Sequence, residues 1–445
     1  MEQVKAGEIA GGHSTSGRPE DAESAAGPEA RGLTISVEAL AWTAVIGAGA
    51  ALRLVSLDRL PLTVAEASRA LDAARVAGGD VPESWRGDLL AAVTSYLFSI
   101  LGESELVARL LPAMAAAALL VLLWFARPYV GRLGALVAGA LVAFSPLFVV
   151  FSRSALPFSA GTLLALAMVL SLFGYVREPR SWLVFPLVVS LALAPLTDAV
   201  AVSAAIAILA FIAIEVSVLG SEEMTRAWET FRRSPLQWVS ALLVLGAALE
   251  LGLTHFGTSL DRSGLPGLRQ WTEMFETPRD SRAPEYHFAL LLAYDWPLLL
   301  LGSAGFLTLA WRLRRLSRAT ASFQRFLLVW TALSALTLAL TTQREAGQLL
   351  LVLLPLALLA GYVVEEAVTA IDWSVLRRWW PALAGSLLFS TVNALQNWIQ
   401  VLGIPIAPDF ALMLPYVLTI LMLAVPFRKA RQPAALTKPF ERGEG

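Results

Sequence analysis

Apolar runs close to 20 residues long recur along this chain from about residue 36 to residue 427, divided by short polar stretches. A helix of that length covers ~30 Å, the thickness of a bilayer's hydrocarbon core. Twelve runs can be placed, at about 38–56, 106–126, 132–151, 157–176, 182–197, 199–219, 236–255, 288–311, 326–342, 347–366, 379–400 and 409–427. Each predicts a membrane-spanning helix. The fifth is short and meets the sixth through Pro195-Leu196-Thr197-Asp198. Two further patterns are helical but too short or too polar to span. Leu89 to Leu101 is a 13-residue apolar run that predicts a helix lying at the interface. Residues 64–77 place Val64, Ala67, Leu71 and Ala74 at helical spacing opposite Arg69, Asp72 and Arg75. Residues 1–35 have neither an apolar run nor the charged start of a signal peptide, and predict a disordered tail. Residues 428–445 form a second, basic tail.

Composition narrows the class. Hydrophobic residues make up 57% and charged residues 16% of 445, with a mean hydropathy of +0.65. A water-soluble enzyme would expose too much apolar surface at that composition. The net charge of −1 supplies no basic field for nucleic acid. With no Cys and three His, a zinc-thiolate centre, a disulfide framework and a histidine-built metal site are all disfavoured. No metal and no cofactor are expected.

The loops sort by charge. With the N-terminus cytoplasmic, one side receives the basic residues from Arg127, Arg132, Arg177 and Arg180 to Arg428, Lys429 and Arg431. The short loops of the other side hold only Arg153 and Arg344. Anionic inner leaflets retain positive charge, so both termini are expected in the cytoplasm, consistent with an even number of spans. Two long acidic loops, about 57–105 and 256–287, then face outward. Glu250 lies within an apolar span, where a carboxylate is a functional candidate or a protonated interhelical hydrogen bond. His255 and His287 bracket the second loop without metal-ligand spacing. Asn393, Gln396, Asn397 and Gln400 form a polar stripe suited to helix association.

Three short stretches follow one another in the first part of the chain: Leu60-Pro61-Leu62-Thr63-Val64-Ala65-Glu66-Ala67, then Gly102-Glu103-Ser104-Glu105-Leu106-Val107-Ala108-Arg109-Leu110, then Ser145-Pro146 to Ser152-Arg153. In that order they resemble the GT-C glycosyltransferases, multispanning enzymes that use polyprenyl-phosphate-linked sugars and include protein O-mannosyltransferases and aminoarabinose transferases. Downstream, Tyr286-His287-Phe288 and Tyr294-Asp295-Trp296-Pro297 are similar to the flippase-activity-associated branch, and Thr341-Thr342-Gln343-Arg344 resembles the family's basic residue before a Pro-containing helix. Two departures stand out. Ala65-Glu66 replaces the usual Asp-Glu, and Leu156-Pro157-Phe158 stands where an acid or tyrosine often follows Ser-Arg.

The resemblance implies an all-α integral membrane protein with outer-face juxtamembrane helices. It would transfer a sugar from a polyprenyl-phosphate donor, with inversion, to an unspecified acceptor on the outer face. Such a reaction needs a base for the acceptor hydroxyl and cations for the leaving phosphate. Glu66 is the first candidate base, unless it merely pairs with Arg69 or Arg59, and Asp58 is the second. Arg153 and Arg344 are the candidate phosphate ligands, because a guanidinium fork suits phosphate. Alternatively each snorkels to headgroups, or Arg344 pairs with Glu345. Two rival readings stay open: a lipid-linked-sugar transporter, and a non-catalytic subunit.

Overall fold

A computed structural model describes residues 36–82, 85, 87–215, 222–253, 265–276, 282–315, 322–371, 386 and 390. Two compact units divide the chain after Glu365, and the site described below belongs to the first. The expected tails, the span at 409–427, the span at 379–400 apart from residues 386 and 390, the Asn393–Gln400 stripe and His255 lie outside the described residues.

Each of the ten expected spans that falls on described residues coincides with helix. Ser36 caps the first, its hydroxyl accepting from the Ala39 amide, and α1 runs Val37–Leu54. The two shorter patterns appear with the expected bounds, as α2 (Val64–Ala77) and α3 (Leu89–Leu101). Then come α4 (Glu105–Leu123) and the short α5 (Arg127–Val130), joined by a 3-10 turn. They are followed by α6 (Arg132–Phe144), α7 (Pro146–Ser152), α8 (Phe158–Arg177), α9 (Ser181–Thr197) and α10 (Ala199–Ile214). After these lie α11 (Glu222–Arg232), α12 (Pro235–Leu253), α13 (Pro266–Glu273) and α14 (Tyr286–Tyr294). The last are α15 (Trp296–Arg315), α16 (Ser322–Leu340) and α17 (Leu350–Ala370).

By length and composition, five straight stretches among the described residues can cross a membrane: α1, residues 105–130, α8, α16 and residues 346–370. Two more expected spans are broken. The run at 132–151 bends by 61° between α6 and α7, and the run at 288–311 bends by 106° between α14 and α15. Counting each bent pair as one span gives seven; α9, α10 and the apolar part of α12 are shorter. The sequence count of twelve is therefore not reached by this measure among the described residues. Hydropathy averages over a window and does not register a turn.

Proline explains one break and a buried acid braces both. Pro146 has no amide hydrogen to continue α6, and Ser145 instead caps α7 by accepting from Phe148. Asp295 ends α14 and is 2% exposed, and its carboxylate accepts from the Leu147 amide at 3.3 Å. The carbonyls freed at the end of α6 are met by Arg53 of α1. Its Nη1 donates to Ala143 and its Nη2 to Val142, at 2.9 and 2.8 Å.

α17 is the centre of the packing. Every residue from Leu350 to Tyr362 is buried, so the helix is apolar on all sides. It meets α6 with backbones in contact: a Cβ on Gly361 would lie 2.2 Å from the Gly134 carbonyl oxygen. Gly302 and Gly305 give α15 the same access to Leu356 and Leu359. Small residues at such crossings are how membrane helices gain contact without a hydrophobic driving force.

Candidate functional site

At one end of the bundle, two arginines hold the chain that follows α1. Arg153, the C-cap of α7, donates from Nη1 to the carbonyls of Leu52 and Val55 and from Nη2 to that of Ser56, at 2.7–2.8 Å. These are the last carbonyls of α1 and the turn beyond it, which a helix leaves without internal partners. Ser56 itself has φ of 54°, a left-handed conformation that its surroundings must hold in place. Arg109, near the start of α4, donates from Nη1 to the Leu57 and Leu60 carbonyls and from Nη2 to that of Pro61.

Arg109 also makes a forked ion pair with Glu66. Nε meets Oε1 at 2.9 Å and Nη2 meets Oε2 at 3.0 Å. Glu66 is 2% exposed and sits at the third position of α2. There it closes a capping box, its Oε2 accepting from both the amide and the hydroxyl of Thr63. Its Oε1 accepts from the Ala155 amide at 2.8 Å. Burial alone would push this carboxyl up, but the Arg109 fork and the Thr63 and Ala155 donors prevail and hold it at about 2. Neither Arg69 nor Arg59 is its partner; Arg69 pairs with Asp88, the N-cap of α3.

Asp58 differs on each count. It is exposed, and its carboxylate makes no hydrogen bond or ion pair among the described residues. Its backbone is nonetheless fixed on both sides, by Arg109 on the Leu57 carbonyl and by the Arg59 amide on Ser56.

The second cluster lies where the stretch between α16 and α17 meets the remainder of the expected second outer loop. Met274, just past α13, accepts through its carbonyl from Thr341, Thr342 and Gln343. Arg344 donates from Nη1 to the Arg282 carbonyl at 2.9 Å, and Arg282 returns a bond to the Arg344 carbonyl. The Arg282 guanidinium lies over Tyr286, 5.0 Å from the ring centre. His287 Nε2 is 3.0 Å from the Glu345 carbonyl. Arg344 forms no ion pair with Glu345, and among the described residues its Nε and Nη2 have no partner. Gln348 donates to the Gln343 carbonyl and accepts from the Glu345 amide, tightening this turn.

One segment joins the two clusters. Ala155 touches Glu66, and three residues on, the Phe158 ring fills the space beside Gly347, where a Cβ would approach it to 2.2 Å. Asp58, Glu66, Arg109, Arg153 and Arg344 thus share one end of the bundle. The chemistry available there is an unengaged carboxylate, a partly engaged guanidinium and a scaffold of spent arginines. Glu250, on α12, is exposed and belongs to neither cluster. Among the described residues no three His, Asp or Glu side chains converge to hold a metal ion. The role of Arg109 is not legible from its own stretch, because its partner lies 43 positions away and no local pattern joins them.

Residues 88–224 match the family model described as dolichyl-phosphate-mannose-protein mannosyltransferase. The match takes in Arg109 and Arg153 and stops short of Asp58, Glu66 and Arg344. No curated protein matches the sequence. Among solved structures, ArnT from Cupriavidus metallidurans bound to undecaprenyl phosphate is 19% identical, with a TM-score of 0.54 over 86% of this chain and 71% of that one. ArnT in the apo state gives 16% and 0.53, over 86% and 70%. The oligosaccharyltransferase AglB from Archaeoglobus fulgidus, in complex with an inhibitory peptide and a dolichol-phosphate, gives 14% and 0.50. The chain covers only 54% of AglB's length. These likenesses define the class: the chain is an integral membrane protein with the all-helical fold of the GT-C glycosyltransferases.

Proposed function

We propose that this protein transfers a sugar from a polyprenyl-phosphate-linked donor to a hydroxyl acceptor on the extracytoplasmic face. The supporting observation is the shared end of the bundle, which carries both a backbone-fixed, exposed carboxylate and a guanidinium with donors to spare on a GT-C fold. Asp58 takes the acceptor proton as the hydroxyl oxygen bonds to the sugar's anomeric carbon. The carbon–oxygen bond to phosphate breaks, and polyprenyl phosphate leaves with the electron pair. The order of the two carboxylates is reversed from the sequence expectation for a physical reason. A base is most effective with a pKa near the working pH, and a carboxyl held at about 2 by four donor groups is a poor proton acceptor. Glu66 is instead a positioning residue that, through Arg109, fixes the backbone carrying Asp58. Arg153 is likewise committed to carbonyls, which leaves Arg344 as the phosphate ligand.

A non-catalytic role is the second reading, favoured by Ala65 in place of an acid next to Glu66. Purified full-length protein incubated with polyprenyl-phosphate sugars separates the readings: transfer supports the first, and no transfer with any donor supports the second. Translocation of the donor without transfer would make the protein a transporter.

Arg344→Ala is expected to weaken donor binding on the order of 10- to 100-fold, the value of losing a charge-assisted hydrogen bond. Arg344→Lys should recover part of it, keeping the charge without the fork. Unchanged donor affinity in the Ala variant would assign Arg344 to membrane headgroups.

Sidedness is open to a direct test because the chain has no Cys. A single cysteine at Ala65, on α2, should react with an impermeant maleimide in intact cells. One at Glu222, on α11, should react only after permeabilisation. The reverse pattern would put the site on the cytoplasmic side.

A further inference from the structure

Two cavities lie at the other end of the bundle, away from Asp58 and Arg344. One, of about 680 Å³, opens between α5, α8, α11 and the start of α16. The other, of about 470 Å³, is a groove between the end of α4, α8 and α9. They share Pro128, Tyr129 and Arg177, so they adjoin across α5 and the end of α8.

Their linings differ in chemistry. The groove is walled by apolar side chains, Leu122, Phe125, Leu170, Leu183 and Pro186 among them. It reaches Ala167, ten residues up α8 from Arg177, a helical rise of ~15 Å. That depth is about half the hydrocarbon core, the span of one leaflet. Phe125 and Trp182 stand exposed beside it, as interfacial aromatics do. The larger cavity has a mixed lining and carries Arg177, Arg226 and Arg233 against Glu223 and Glu229, an excess of positive charge.

Arg177 faces both. Among the described residues it forms no hydrogen bond or ion pair, while its neighbours are occupied: Arg180 with Glu178, Arg233 with Glu229 and Glu223 with the Ser322 hydroxyl. An uncompensated guanidinium at the mouth of an apolar groove one leaflet deep is complementary to a charged headgroup with its chain attached.

We propose that the groove and cavity form a single site for an anionic phospholipid, its phosphate on Arg177 and one acyl chain against Phe125 and Leu170. The bound lipid would brace α8 and α9 against α11 at the end remote from the sugar chemistry. This site is independent of the transferase reading and would be present in a non-catalytic protein.

The test is native mass spectrometry of the full chain released from nanodiscs of equimolar phosphatidylglycerol and phosphatidylcholine, with melting curves to establish that each variant is folded. Wild type should retain phosphatidylglycerol selectively. Arg177→Ala should lower retention about tenfold, the usual loss for one charge-assisted contact, and Arg177→Lys less. Ala167→Trp, which fills the deep end of the groove, should lower it similarly. Arg232→Ala, a nearby arginine that lines neither cavity, should leave it unchanged. Loss in the Arg177 variant alone, with displacement by millimolar inorganic phosphate, would mark a free-anion site and overturn the proposal. So would loss in the Ala167 variant alone, or retention of lipid in every variant.

Discussion

Asp58→Asn is expected to lower sugar transfer by about 10²–10⁴-fold, the usual range for a lost general base, with donor binding and melting temperature unchanged. The amide keeps the size of the carboxylate and cannot accept the acceptor's proton. Because Asp58 is exposed and makes no internal bond among the described residues, the substitution removes chemistry without removing structure. Asp58→Glu should recover little, since about one added methylene moves the oxygens by ~1.5 Å and misplacement on that scale is costly. The measurement is single-turnover transfer from a labelled polyprenyl-phosphate sugar. An Asp58→Asn protein with full activity, beside an inactive but normally folded Glu66→Gln protein, would return the base to Glu66.

Arg109→Ala is expected to destabilise the protein by about 3–5 kcal/mol, the range for leaving one member of a buried ion pair alone. Glu66 would remain buried with its fork removed, and the carbonyls of Leu57, Leu60 and Pro61 would lose their donor. Thermal unfolding in detergent reads the loss. Arg109→Ala/Glu66→Gln should be less damaging than Arg109→Ala alone, because the uncompensated charge is gone. The pair also has a pH signature. Glu66 titrates near 4.5 unfolded and near 2 folded, so its contribution is intact above about 4.5 and is lost as pH falls toward 2. Arg109→Ala should abolish that window, and a wild-type acid transition insensitive to the substitution would contradict the assignment.

How much of this was legible beforehand depended on whether the signal was local. The bounds of α2 and α3 followed from apolar spacing and run length, and the caps that fix their starts in the structure, Thr63 and Asp88, adjoin the same stretches. The broken helices were legible only in part. Ser145-Pro146 and Asp295-Trp296-Pro297 mark where helices stop, yet both lie inside continuous apolar runs that hydropathy joins. The polar helix α11 contains no apolar run, and its helical signal is confined to the Met224 and Ala227 that bury one face. At the site, residue type identified the charged groups and not their tasks. Arg153 and Arg344 look alike as isolated outer-loop arginines, and only the fold shows one spent on three carbonyls and the other on one.

Arg53 sets a condition on the order in which the chain is assembled. Its carbonyl partners on α6 lie about 90 positions later in synthesis, so α1 enters the membrane before they exist. During that interval the guanidinium must be solvated at the headgroups, which its place as the penultimate residue of the helix and its long stem allow. Arrival of α6 then exchanges lipid and water around that charge for protein carbonyls, and Arg53 becomes 1% exposed. The first span therefore inserts as a provisional element, seated only when its later neighbour breaks at Ser145 and offers those oxygens. The same kink that shapes the mature end of the bundle is what lets its earliest helix settle.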